Sequence, residues 1–432
     1  MCYAIPGRIV SIQDRSATID YFGERREAGI IGTQGRALRA GDYVYAQGGI
    51  VVDRIAEPEA LAILDSWKER FFELKKRDAE IAKTAKTKNK NALASVLDKA
   101  ESGALLARSE MEQVIRAEDS GSLESIYASA NRIRSRELGN SCCVHGIIEF
   151  SNHCKNACAY CGINKNNTKI KRYRMSPDEI VETAEHAFRS LGFKALVLQS
   201  GEDDYYSDEM LEGIIRRIRE KCGILIFMSI GERTFGCYKK LYEAGAYGAL
   251  LRFETSNPKI YSMVRQGKKL EARVALIRKL VASGFIVATG FMVGLPGATG
   301  QDLINDILLT KSLKPDMYSF GPFIPHPQTP LAGTRGAAPD YALRAISLSR
   351  LIDPKAKILA TTALETLSRG KKDGLCAGAN SLMINLTPDK YKLDYDLYPG
   401  KARCAKTGVQ DEIRETLGLL HSLGRAPTDL GT

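Results

Sequence analysis

The 432-residue sequence has no apolar run near the ~18 residues that a membrane-spanning helix needs, which excludes a helical membrane protein. Its first residues, MCYAIPGRIV, lack the basic start and apolar core of a signal peptide, so a cytoplasmic chain is expected. Cysteine is sparse and mostly scattered, ten residues in all, and in a reducing compartment isolated thiols serve as core filler rather than disulfide partners. A bias toward disorder is also missing: 44% hydrophobic and 26% charged residues supply ample core. Acidic residues are the scarcer charge, 51 against 62 basic ones, a net +11. Much of that excess falls in KERFFELKKRDAEIAKTAKTKNKN at 68–91 and in KNNTKIKRYR at 165–174. The first run has few aromatics and no glycine, which favours a solvated helix leading into a linker over a nucleic-acid arm. Neither a nucleic-acid nor a membrane partner is expected. The second run could steer a small anionic substrate.

Two domains fit this length. Residues 1 to about 56 alternate short β-rich runs with turns (AIPGRIVSI, SATIDYFGERREAGII, DYVYAQGGIVVDRI), the pattern of a small all-β, OB-like barrel. The period then turns helical, with Ala60, Leu61, Leu64, Trp67, Phe71 and Leu74 on one stripe. From about residue 140 strand and helix alternate. Eight strands are expected, at CCVHGIIEF, KALVLQS, GILIFMSI, YGALLRF, IVATGFMVG, DMYSFGPFI, AKILATTAL and SLMINL, with helical spacers such as SPDEIVETAEHAFRSLG. The fold class is therefore α/β, a (β/α)8 TIM-type barrel with a small N-terminal β-barrel. The expected boundaries are 1–75 for the β unit with its helix, 76–105 for a charged helical and polar linker, and 106–432 for the barrel. Each strand runs into a polar or glycine-rich signature (SNHC, QSGED, SIGE, RFET, GLPG, PHP, TT, NLTP), and in such a barrel these ends form the active-site face.

The one tight cysteine group is CKNACAYC, with Cys154, Cys158 and Cys161 in the loop after the first strand. Structural zinc normally takes four protein ligands, and His153, adjacent to Cys154, is awkwardly placed to be the fourth. Three thiolates suit a four-iron four-sulfur cluster that keeps one iron open to a small molecule. The spacing, with Tyr160 before the last cysteine, resembles the radical SAM superfamily. That resemblance implies S-adenosylmethionine (SAM) on the open iron and its reductive cleavage to a deoxyadenosyl radical, with electrons from a ferredoxin- or flavodoxin-type donor. The ordered series IIEFSNHCKNACAYCG, KRYRMSPDEIVETA, VLQSGED, GALLRFETSNP, MVGLPG, GPFIPHPQTPLAGT, ATTA and YPGK resembles the HydE family of hydrogenase maturases; biotin synthase and methylornithine synthase are more distant relatives. The resemblance implies that Cys154, Cys158 and Cys161 hold the cluster and that Ser200, Gly201 and Glu202 lie near the methionyl group of SAM. Glu254 would accept from its ribose and Arg273 would pair with its carboxylate. Arg252, Met317, Thr361, Thr362, Met383 and Tyr395 would surround the substrate. Phe227 stands where that pattern has threonine, a change expected to reshape the cavity. Cys404 alone remains of the C-terminal cysteines that some members carry, so no second cluster is expected. Cys142, Cys143, Cys222, Cys237 and Cys376 are expected to be packing residues.

MCYAIPGRIV, ATIDYFGERREAGI and GDYVYAQGGIVVDRI resemble the HypC/HupF family of hydrogenase maturation chaperones. The resemblance implies that Cys2 carries an iron-cyanide-carbonyl fragment; the histidine of that pattern is Gln47 here. The expectation is a radical SAM maturase of a hydrogenase-type iron cofactor. Its substrate would be a small anionic organometallic species or an amino acid, and its partners other hydrogenase maturation proteins. Residues 60–100 would act as an arm that brings Cys2 to the barrel mouth. A radical SAM enzyme acting on a small amino acid or thiol, and a non-catalytic iron carrier, are the alternatives.

Overall fold

The computed structural model describes residues 4–31, 37–84, 92–367, 370–401 and 408–428. Five strands come first, β1 (Gly7–Gln13), β2 (Ser16–Tyr21), β3 (Glu24–Gly29), β4 (Tyr43–Gln47) and β5 (Ile50–Ile55). They close into a barrel in the order β1-β2-β3-β5-β4. Alternation drives the closure: Ile9, Ala17, Ile19 and Tyr21 point inward while their neighbours in sequence are more exposed. Gly48 and Gly49 join β4 to β5 with φ of +63° and +81°, a two-residue turn that demands positive φ at both positions.

Helix α1 (Glu57–Thr84) follows. Ala60, Trp67, Phe71 and Leu74 of the expected stripe are buried, whereas Leu61 is exposed, one step round the helix from Ala60. The helix continues unbroken past residue 75 to Thr84, within the span 76–105 expected as a charged helical and polar linker. Helices α2 (Ala92–Glu101), α3 (Arg108–Arg116) and α4 (Ser120–Leu138) then lead into the second unit. Among the described residues no helix is long and apolar enough to cross a membrane.

The second unit is built on β6 (Cys143–Ser151), β7 (Ala195–Ser200), β8 (Leu225–Ser229), β9 (Gly248–Leu250), β10 (Ile286–Thr289), β11 (Met292–Val293), β12 (Met317–Tyr318), β13 (Gly321–Pro322), β14 (Lys357–Ile358) and β15 (Ser381–Asn385). Eight of these form a parallel sheet in the order β14-β12-β10-β9-β8-β7-β6-β15, with β11 and β13 as a separate parallel pair. The eight expected strands are thus present, the fifth and sixth each broken in two. The two edges of the sheet meet at a single parallel bridge, Leu359 with Ser381. Helices such as α5 (Pro177–Arg189), opened by a Ser176 and Glu179 capping box, cover the outside.

The N-terminal unit packs against the end of this barrel where the strands begin. Ala4, Tyr45, Ile50 and Val52 share one apolar cluster with Ala195, Leu225, Phe227 and Ile286. The contact is close: a Cβ on Gly48 would lie 2.9 Å from Leu225, and one on Gly223 would lie 2.2 Å from Asp53. The Lys194 ammonium sits 4.3 Å above the Tyr45 ring. This placement corrects the expected arm. The unit is docked at the floor of the barrel, opposite the mouth where the cysteine loop lies.

Candidate active site

Strand β6 ends at Ser151, and the loop after it carries Cys154, Cys158 and Cys161. Backbone groups pin this loop from several sides: Lys155 N–H to Glu202 O, Ala159 N–H to Val264 O and Gly162 N–H to Leu397 O, each at 2.9 Å. Arg172 donates to the carbonyls of Ile163, Asn164 and Asn167 at 2.9, 2.6 and 3.1 Å. Arg174 pairs with Asp203 at 2.7 Å. Two arginines of the basic run KNNTKIKRYR therefore fasten the loop rather than standing free to steer a substrate. Glycine is needed at two contacts, because a Cβ on Gly201 would fall 2.1 Å from His153 O, and one on Gly162 would fall 2.0 Å from Asp396 O. His326 of the PHP signature also packs on Gly162 and is held by Asp396 at 2.9 Å. Burial pushes the Cys158 and Cys161 thiols up, so ligation of a metal would release protons from them.

All three cysteines face a cavity of about 270 Å3. Tyr160, Ser200, Gly201, Glu202, Arg252, Glu254, Arg273, Thr361, Thr362, Met383 and Tyr395 line it as well. Met317 does not. It lies in the apolar layer beneath the cavity, its sulfur 3.8 Å from Ser381 Oγ. Phe227 is in the same layer, so the departure from threonine bears on the junction with the N-terminal unit rather than on the cavity wall. Cys2 and Cys404 lie outside the described residues. Of the five cysteines expected as packing, Cys142, Cys143, Cys222 and Cys237 are buried and Cys376 is half-buried.

Sequence reasoning missed Arg265, Glu149 and Lys401. Arg265 approaches Glu232 at 2.8 Å and Glu202 at 3.6 Å, and Arg273 lies 3.5 Å from Glu232. Burial opposes ionisation of Glu202, but the Glu232 N–H, the Asn156 side chain and these arginines together hold its carboxyl below the usual range. Glu149 sits inside a fully buried strand, a charge in the run CCVHGIIEF that was itself the overlooked signal. It pairs with Lys401, whose ammonium burial pushes down and which also donates to Tyr395 O at 2.9 Å. Glu254 is one of four non-glycine residues with positive φ among the described residues, at +70°, and such strain is tolerated where the surroundings over-determine it. Here the Met292 N–H donates to Glu254 O at 2.8 Å, and Arg252 Nε lies 3.6 Å from its carboxylate.

Five buried polar atoms of residues lining the cavity have no hydrogen-bond partner among the described residues: Glu202 Oε2, Glu254 Oε2, Arg265 Nε, Arg273 Nη1 and Thr361 Oγ1, the first, second and fourth keeping only ion-pair contacts at 3.7, 3.6 and 3.5 Å. Such unsatisfied atoms lining one cavity with three thiols fit a polar ligand held next to a thiolate-bound metal cluster.

Comparison with known proteins places three families along the chain. The radical SAM superfamily matches residues 148–309, the HupF/HypC family residues 1–67, and the biotin and thiamin synthesis associated domain residues 319–425. The FeFe hydrogenase maturase subunit HydE of Thermotoga maritima is 39% identical, over 74% of this chain and 91% of its own length. A 3-methylornithine synthase of Methanosarcina barkeri is 32% identical, over 68% of this chain and 84% of its own. The crystal structure of methylornithine synthase superposes with a TM-score of 0.68 at 27% identity, covering 77% of this chain and 97% of that one. The strand-end cavity with its cysteine trio and the small barrel docked beneath it therefore belong to a HydE-like member of the radical SAM enzymes, joined to an N-terminal domain of the HupF/HypC family.

Proposed function

We propose that this enzyme matures a hydrogenase-type iron cofactor, using SAM held beside a cluster on Cys154, Cys158 and Cys161, while the N-terminal domain carries the iron fragment through Cys2. The observation that supports it most is the set of buried polar atoms without a hydrogen-bond partner that line one cavity together with the cysteine trio. When bound, the cluster and SAM would supply a deoxyadenosyl radical by one-electron reduction. The residues of the chain do the rest by position. Arg273, fixed by its Nε bond to Arg252 O at 2.8 Å, keeps a guanidinium nitrogen for a carboxylate. Glu254 offers an acceptor to a ribose hydroxyl, and the backbone at Gly201 allows close approach at the methionyl end. Deeper in, Arg252, Thr361, Thr362, Met383 and Tyr395 present a mixed polar and apolar wall to an iron substrate bearing carbonyl, cyanide and a cysteine-type ligand. A second reading, an amino-acid substrate, draws on the Glu149–Lys401 pair with Asn385 at 3.1 Å from Glu149, groups suited to a zwitterion.

Anaerobic reconstitution should give about four irons per chain, and dithionite with SAM should yield deoxyadenosine and methionine. Cys158→Ala should lose both, and SAM cleavage at the wild-type rate by that variant would refute the radical assignment. A rise in deoxyadenosine on adding a cysteine-ligated iron complex, but not a basic amino acid, would favour the first substrate class; the opposite response would favour the second.

A further inference from the structure

One face of β6 points into the barrel at every second residue: Cys143, His145, Ile147 and Glu149. The upper two line the cavity. The lower two lie under it, at the junction with the N-terminal unit, and meet Gln47 at the end of β4. Cys143 Sγ is 3.3 Å from His145 Nε2 and 3.8 Å from Gln47 Oε1. All three side chains are buried, Gln47 completely, and the Gln47 amide nitrogen has no hydrogen-bond partner among the described residues. The His145 ring is steadied edge-on by Phe227 at 5.6 Å.

From this we infer a metal-ion site shared by the two domains, with Cys143 and His145 as ligands from the barrel, Gln47 facing them from the N-terminal unit, and a ferrous ion or its complex as occupant. A thiolate and an imidazole two residues apart on one strand form a chelating pair of donors suited to first-row divalent metals. Their separation is close to the roughly 3.5 Å between a sulfur and a nitrogen on one tetrahedral ion. A hydrogen-bonded lock between domains would account for the thiol and the glutamine oxygen but gives the buried amide N–H2 no acceptor, and neither does a bare ion; an acceptor ligand carried on the metal would satisfy it. Among the described residues no third histidine, cysteine or carboxylate completes the set. The choice of iron rests on the function proposed above; the ligand set does not. The site lies below the cavity floor on the strand that reaches it, so a carrier docked there holds its metal one apolar layer from the substrate chamber.

The full chain, reconstituted so that its cluster cysteines are occupied, should bind one further ferrous ion in anaerobic titration. Cobalt(II) in its place should show a thiolate-to-metal charge-transfer band that persists in Cys2→Ser if Cys143 supplies the sulfur. Cys143→Ser and His145→Gln should each weaken the additional ion at least tenfold while the cluster iron is retained. If either barrel variant fails to fold, the cobalt band in Cys2→Ser decides alone. Absence of an additional ion in the wild type, its retention in both barrel variants, or loss of the band in Cys2→Ser would overturn the site and leave a polar lock. SAM cleavage without an additional ion sinks this inference and spares the radical reading, and an additional ion without SAM cleavage does the reverse.

Discussion

Among single residues, Asp306 has the clearest consequence for pH. It lies on the helix Gly300–Ser312, buried, and accepts from the Ser256 N–H at 2.5 Å, so it holds the segment just after Glu254. Burial pushes its carboxyl up to about 7. A raised carboxyl favours the folded state while neutral: its contribution is full below the unfolded value near 4, declines as pH rises, and is gone above about 7. Asp306→Asn keeps the acceptor and removes the charge. It should raise stability at pH 8 by on the order of 1–3 kcal/mol and flatten the profile between about pH 4 and 7, read by denaturant titration. An unchanged profile would mean the carboxyl ionises without penalty. The cysteine trio, Glu202, Glu254 and Arg273 were legible because they sit in ordered motifs at strand ends. Arg265 was not, since it belongs to no motif and acts only through its distance to Glu202 and Glu232. Met317 misled because it opens β12 rather than ending it, and so lies in the apolar layer below the strand ends that line the cavity.

Helix α1 shows how an element ties the two units together. Asp78, near its far end, pairs with Arg134 of α4 at 2.8 Å and with Arg425 at 3.2 Å, and accepts from Ser135 Oγ at 2.8 Å. These charges are almost wholly buried, and burial, then the neighbouring Arg134 charge, lowers Arg425 to about 10. Gly424 allows the approach, since a Cβ there would fall 2.3 Å from Asp78 N. Removing one partner of a buried ionic cluster strands the others, so Asp78→Ala should cost about 3–5 kcal/mol in urea unfolding, whereas an exposed pair such as Arg77 with Glu73 should cost less than about 1 kcal/mol. Equal small losses would contradict the clamp. Sequence periodicity revealed α1 through Ala60, Trp67, Phe71 and Leu74, but Asp78 read as one more charge in a basic run. Its burial depends on Arg134 and Arg425, 56 and 347 residues away in the chain, and no local pattern records that. The strands were legible as apolar runs, while the breaks at β10/β11 and β12/β13 were not, because each run stays apolar across its break.

At the scale of the whole molecule, the floor of the barrel is finished by a second domain. Ala195, Leu225, Phe227 and Ile286 meet Tyr45, Ile50 and Val52 there instead of water. A chain beginning near residue 92 would expose that floor and lose the Asp78 clamp. It should aggregate on size-exclusion chromatography or melt lower by roughly 10 °C or more. A monomer with unchanged melting would show that the β unit is dispensable for stability. The packing of the two units was invisible in the sequence, since either could have formed its own core and floated on a linker. The mouth is built differently from the floor. The ring of strands is joined by one bridge, Leu359 with Ser381, and Thr361 and Met383 of the cavity wall lie two residues from it on either side. In mechanical terms the barrel is a hoop closed at a short joint: the Ala360 N–H to Ser381 O and Asn380 N–H to Ile358 O bonds, at 2.9 and 3.0 Å, take the load of a guest pressing on Thr361 and Met383, while the cysteine loop is backed by the longer pairing of β6 with β7.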